Sequence, residues 1–171
     1  SGSYIMADDP AFLPIYRFVA QQNRTLYAHL AEPTAAWLPL DPKSPHYSYY
    51  KNNPDWHMFQ HPERPRKDVI LAARDHILEL NPALRMVGCH LGSMEHDVDV
   101  LAKRLDRYPN LAVDTAARVK DLQVQPRDKV RAFLIRYQDR VLYGTDLGLV
   151  PGKDAAKAIE SMRTVYARDW R

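Results

Sequence analysis

Cysteine is almost missing: Cys89 is the only one in 171 residues. An internal disulfide framework and a thiolate-rich zinc site are thereby excluded, and a reducing, cytoplasmic setting is expected. Glycine is scarce as well, six against thirteen prolines. That balance points to structured loops rather than flexible linkers. No apolar run reaches the roughly 18 residues of a membrane span, so no membrane partner is expected. No charged segment followed by an apolar stretch opens the chain, and no secretory leader is expected. Neither sign of charge dominates, since 24 Lys and Arg face 21 Asp and Glu for a net charge of +3. Without a basic block, nucleic acid is not an expected partner. The apolar share is 46% and the charged share 26%, as in ordinary globular chains. One domain over residues 1–171 fits that length.

What is there alternates. Asp9-Pro10 reads as a cap followed by proline at a helix start, with Phe12, Ile15, Tyr16 and Val19 at helical spacing. Strands are expected at 25–29, 84–90, 111–114 and 140–145. Lys67 to Leu80 is amphipathic, with Val69, Ile70, Ala73, Ile77 and Leu80 on one face and Asn81-Pro82 as the stop. Ser93 is placed to cap a helix from Met94 to about Arg107. Pro126 opens another, with Val130, Phe133, Leu134 and Tyr137 as its apolar face. A last helix from about Asp154 turns Ala155, Ile159, Met162 and Tyr166 inward. Short apolar strands alternating with amphipathic helices imply an α/β fold with a parallel sheet. Residues 31–66 break the pattern with seven prolines and the aromatics Trp37, Tyr47, Tyr49, Tyr50, Trp56 and Phe59. Disordered segments are poor in aromatics, so this long loop is read as an ordered lid or interface segment.

The chemistry gathers at the strand ends. The four strands deliver His29, then Cys89-His90, then Asp114, then Gly144-Thr145-Asp146. In a β/α barrel the carboxyl ends of the strands form the active-site face. Each residue alone has a plainer reading. A histidine there can be a satisfied structural one, Asp146 a loop cap, Asp114 an ion-pair partner of Arg118, and Cys89 a small buried hydrophobe. Imidazole and carboxylate together suit Zn²⁺ and related divalent ions. Arg118 offers a bidentate fork for a carboxylate or phosphate. His46, His57, His61, His76 and His96 are given no catalytic role.

HLAEP at 29–33, GCHLGS at 88–93, NLAVDTAAR at 110–118 and YQDRVLYGTD at 137–146 together resemble the amidohydrolase-related metal-dependent hydrolases. That family has a TIM-barrel fold and includes relatives of aminocarboxymuconate-semialdehyde decarboxylase. The resemblance implies that His29 is a metal ligand at the end of barrel strand five. It implies that His90 is the strand-six ligand or acid–base group, and that Asp146 is the strand-eight aspartate, both ligand and water-activating. Asp114 and Arg118 take a substrate-side role, and the substrate is a small molecule bearing a carboxylate. The cofactor so implied is a divalent ion, foremost zinc, with manganese or another as alternatives. The implied reaction is hydrolysis of a carbonyl-type bond by activated water, and the alternative is nonoxidative decarboxylation of an aromatic or unsaturated acid. The family's strand-one His-x-His pair occurs nowhere in this sequence. The expectation is therefore half a (β/α)8 barrel, strands five to eight, from the C-terminal part of a longer enzyme. Such a half leaves open sheet edges, so homodimerisation or association with the remaining barrel half is expected. A catalytically inert folding or association module is the third alternative.

Overall fold

The computed structural model describes residues 4–148, 151–152 and 154–169. Four parallel strands form one sheet in sequence order: β1 (Thr25–Ala28), β2 (Arg85–Gly88), β3 (Leu111–Asp114) and β4 (Val141–Leu142). The register aligns Ala28 with Gly88, Gly88 with Val113, and Val113 with Val141. His29, Cys89, Asp114 and Leu142 thus come level at the carboxyl end. The two central strands are the buried ones, and β1 and β4 are partly exposed. This is how a parallel sheet covered by helices distributes its apolar runs.

The helices are α1 (Leu13–Gln21), α2 (Tyr47–Asn52), α3 (Lys67–Leu80), the one-turn α4 (Cys89–Gly92), α5 (Val98–Arg107), α6 (Val119–Gln123), α7 (Arg127–Arg136) and α8 (Ala155–Asp169). The core gathers Ile77 and Leu78 of α3, Met86 of β2, Leu101 and Leu105 of α5, Leu111 and Val113 of β3, and Phe133 of α7. Four parallel strands with their helices are half of the eight units that close a (β/α)8 barrel. Among the described residues no helix is long and apolar enough to cross a membrane.

Several expectations need correction. The expected fourth strand shrinks to Val141–Leu142, so Gly144-Thr145-Asp146 lies beyond the sheet. Ser93 does not cap the following helix: it closes α4 with φ 59°, and its hydroxyl donates to the Ala31 carbonyl at 2.6 Å. The helix begins instead at Val98, where the Asp97 carboxylate accepts from the Asp99 amide at 2.8 Å. On α3, Val69 and Leu80 are exposed, while Arg74 and Asp75 are buried with Ala73 and Ile77. The buried face is rotated from the expected one and includes Leu78 and the Arg74–Asp75 ion pair. Leu134 is exposed as well, leaving Phe133 as the buried residue of α7, with Tyr137 buried just past its end. No residue of α8 is buried, and Ile159 and Tyr166 face outward; the neighbouring β4 is only two residues long and offers little to cover them.

The 31–66 segment is ordered. Besides α2 it holds 3-10 turns at Thr34–Trp37, Pro54–Trp56 and Met58–Gln60. Ala36, His46, Tyr50 and His57 are buried within it.

Candidate active site

Past β2 the chain turns left-handed. His90, Leu91, Gly92 and Ser93 all have φ between 56° and 59°. Non-glycine residues rarely enter that region, and when they do the surroundings must hold them there. Three bonds do so. The His90 amide donates to Asp114 Oδ1 at 2.8 Å. Arg74, 1% exposed, donates from Nη1 to the Gly92 carbonyl at 2.8 Å. Ser93 is tied to Ala31, as above. A Cβ on Gly92 would lie 3.2 Å from Val113 Cγ1 and 3.3 Å from Arg74 Nη1, so glycine is favoured there both by its φ and by the close approach.

The turn aims His90 into a cavity of about 330 Å³ at the carboxyl ends of the strands. His29, Arg118 and Asp146 line it too, so four of the five predicted residues meet there. The His90 Nδ1 donates to the Ala116 carbonyl at 2.7 Å. A carbonyl only accepts, so Nδ1 carries the proton, and Nε2 of the neutral ring has the lone pair. The His29 ring lies 4.9 Å from that of His90, nearly perpendicular at 78°. Burial holds the His29 pKa below its usual value, and a charge on His90 works the same way, against the pull of Glu32 and Asp146. Three residues lining the cavity, His90, Ala117 and Asp146, have positive φ.

Asp114, the fifth, is not a cavity wall. Only 1% exposed, it accepts from the His90 and Ala116 amides and from the Tyr27 hydroxyl. It sits beneath the site and fixes the turn that carries His90. Nor does it pair with Arg118, which donates from Nη1 to the Ala117 carbonyl at 3.1 Å. The Arg118 Nε is buried without a hydrogen-bond partner among the described residues. Burial and Asp114 push the Cys89 thiol up to about 11, so it stays protonated and is a poor nucleophile or metal ligand.

The other walls, none of them named as a site residue from the sequence, include Lys120 and, from the segment read as a lid, Glu32, Pro33, His46, Tyr49 and Tyr50. His46 bonds Asp121 at 2.7 Å, Lys120 reaches the Pro45 carbonyl at 3.0 Å, and the Tyr50 hydroxyl donates to Glu32 at 3.0 Å. The first two bonds fasten the 31–66 segment over one side of the cavity, and the third is internal to that segment. Glu32 lies within the HLAEP motif, three residues from His29, and was legible there. His46 has no local signal, because its partner is 75 residues away.

The donor types suit a borderline divalent ion, with His29 and His90 supplying nitrogen and Asp146 oxygen. Their number falls short. Among the described residues no group of three His, Cys, Asp or Glu side chains stands close enough to hold an ion.

Parallel βα units with histidines, an aspartate and an arginine at their carboxyl ends define an α/β protein built on the barrel plan. The family follows from a match over residues 5–167 to the family model described as Amidohydrolase: the chain belongs to that amidohydrolase family. Among solved structures it is similar to an uncharacterized TIM-barrel protein from Bordetella bronchiseptica, at 19% identity and a TM-score of 0.46, covering 98% of this chain and 54% of that one. It is also similar to 2,6-dihydroxybenzoate decarboxylase complexed with 2,6-dihydroxybenzoate, at 16% identity and a TM-score of 0.46, covering 98% and 57%. The 2,6-dihydroxybenzoate decarboxylase from Rhizobium matches at 15% identity with the same TM-score, covering 98% and 58%. The chain spans a little over half the length of these structures. No curated protein sequence matches it.

Proposed function

We propose that this chain carries part of the active site of a metal-dependent hydrolase acting on a small carboxylate-bearing molecule. The observation that carries the reading is the buried Arg118 Nε, which lacks a partner in the cavity that also holds His29, His90 and Asp146. A buried charged donor left unpaired is costly, and a ligand carboxylate satisfies it. A divalent ion, which His29 and Asp146 would hold in part, would supply Lewis-acid polarisation. Arg118 anchors the substrate carboxylate. Asp146 accepts a proton of the attacking water, and His90, with Nδ1–H locked on Ala116, takes that proton at Nε2 and delivers it to the leaving group. Asp114 and Arg74 position His90.

Nonoxidative decarboxylation is the second reading, favoured by the placement of Arg118 in the same cavity as two imidazoles. There the carboxylate leaves as carbon dioxide and the carbon it leaves takes up one proton from a histidine. Activity screening in ¹⁸O-labelled water separates the two. Hydrolysis puts label into the product, whereas decarboxylation releases carbon dioxide from a ¹³C-carboxylate and leaves no label in the organic product. Elemental analysis tests the ligand reading. Zinc retained after dialysis and lost in His29→Ala supports it. A zinc content unchanged in His29→Ala, or no zinc under any loading condition, leaves the inert-module reading. We propose further that the chain self-associates through its sheet edges or joins a further barrel segment.

A further inference from the structure

A second cavity, of about 440 Å³, adjoins the first. His29 and Glu32 line both and form the partition between them. Its other walls are of a different kind, with Trp37, Trp56, Met58 and Ile70 prominent. Its one cationic wall residue, Arg64, is already engaged by the Asp55 carbonyl and the Met58 sulfur. No orphaned polar atom among the described residues belongs to this chamber, whereas Arg118 of the first chamber has one. Lys67 stands 5.7 Å from the Trp37 ring centre and steadies it. The chamber is open to solvent, with Trp56 53% exposed, and its volume leaves room for a ring or a short hydrocarbon chain, since about 150 Å³ already accepts benzene.

The contrast across His29 implies a ligand with two ends. We propose that the substrate is an amphipathic carboxylic acid, with its carboxylate on Arg118 and its apolar body between Trp37 and Trp56. The bond that reacts then lies near the partition, beside His29 and His90. This rests on the carboxylate reading of Arg118 and adds a specificity site from the 31–66 segment. Trp37 and Trp56 exclude charged extensions and reward apolar ones. The 31–66 segment therefore sets which acids bind.

The test is fluorescence titration in a Trp170→Phe background, so that Trp37 and Trp56 report. The probes are propanoate, 3-phenylpropanoate and 3-phenylpropanamide. Expected is about tenfold or more tighter binding of 3-phenylpropanoate than of propanoate, the gain of burying one ring. Trp56→Ala, at a half-exposed position, should erase that advantage. Met58→Glu should erase it too, and circular dichroism checks that both variants fold. Arg118→Gln should weaken both acids and spare the amide. Equal binding of propanoate and 3-phenylpropanoate overturns the proposal, as does an advantage that survives both chamber variants, or no saturable change with 3-phenylpropanoate. If the amide binds as tightly as the acid and still depends on Trp56, the carboxylate reading fails and the apolar chamber alone stands.

Discussion

At the scale of single residues, the most perturbed cation lies outside the cavity. The Lys67 side chain is 12% exposed, donates to Thr34 Oγ1 at 2.6 Å and stands 3.6 Å from Glu95. Burial outweighs Glu95 and brings its pKa down from 10.5 to about 8. Below about pH 8 both folded and unfolded chains hold this proton, and folding bears the cost of burying the ammonium. Between about 8 and 10.5 only the unfolded chain still holds it, so stability attributable to Lys67 rises with pH. The expected outcome is an excess upward slope of stability in that window relative to Lys67→Met, read from paired urea titrations. A lysine ¹³Cε resonance titrating near 8, absent in the variant, is the direct check. A second prediction concerns the left-handed turn. Gly92→Ala places a Cβ against Val113 and Arg74 at φ +59° and should destabilise by about 1–3 kcal/mol. Calorimetry would show the lowered melting temperature.

At the scale of elements, α3 and the 31–66 segment reach the site by different means. Arg74 clamps the Gly92 carbonyl while pairing with Asp75 at 2.6 Å, and Arg104 holds the other Asp75 oxygen at 2.8 Å. Arg74→Met fills the space but leaves a buried carbonyl unpaired and Asp75 with one cation. A loss of about 3 kcal/mol is expected, measured as a lower urea midpoint. The 31–66 segment hangs on fewer bonds. His46→Ala removes the 2.7 Å bond to Asp121, and the segment should open locally more often. Native-state trypsin cleavage after the exposed Lys43 should then run about tenfold faster, as loss of one buried charged hydrogen bond implies. The central strands were legible in the sequence because LRMVGCH and NLAVD are apolar runs too short for helices. Their carboxyl-end residues were legible because a parallel sheet must bring them level. The turn at His90–Ser93 was not, since only Gly92 in it advertises a positive φ, and a serine before a helical pattern reads as a cap. His46 was not legible either, because nothing near it in sequence encodes Asp121.

At the scale of the whole molecule, the helical pattern of the last element was legible and its burial was not. Ile159 and Tyr166 repeat at helical spacing whether or not anything covers them, and amphipathicity encodes a face rather than its partner. Here the face stays exposed beside Leu142 and Leu147, which are also exposed. Strand β4 pairs only with β3, and β1 only with β2, so the sheet has two open edges among the described residues. Open edges and exposed apolar side chains favour pairing with another chain. The proposed self-association predicts a weight-average mass above 19.8 kDa, rising with concentration in sedimentation equilibrium. Leu142→Lys puts a charge on the β4 edge, a device that blocks edge pairing, and should return the mass to that of the monomer while leaving zinc retention unchanged. A wild-type mass fixed at the monomer value across concentrations would remove self-association.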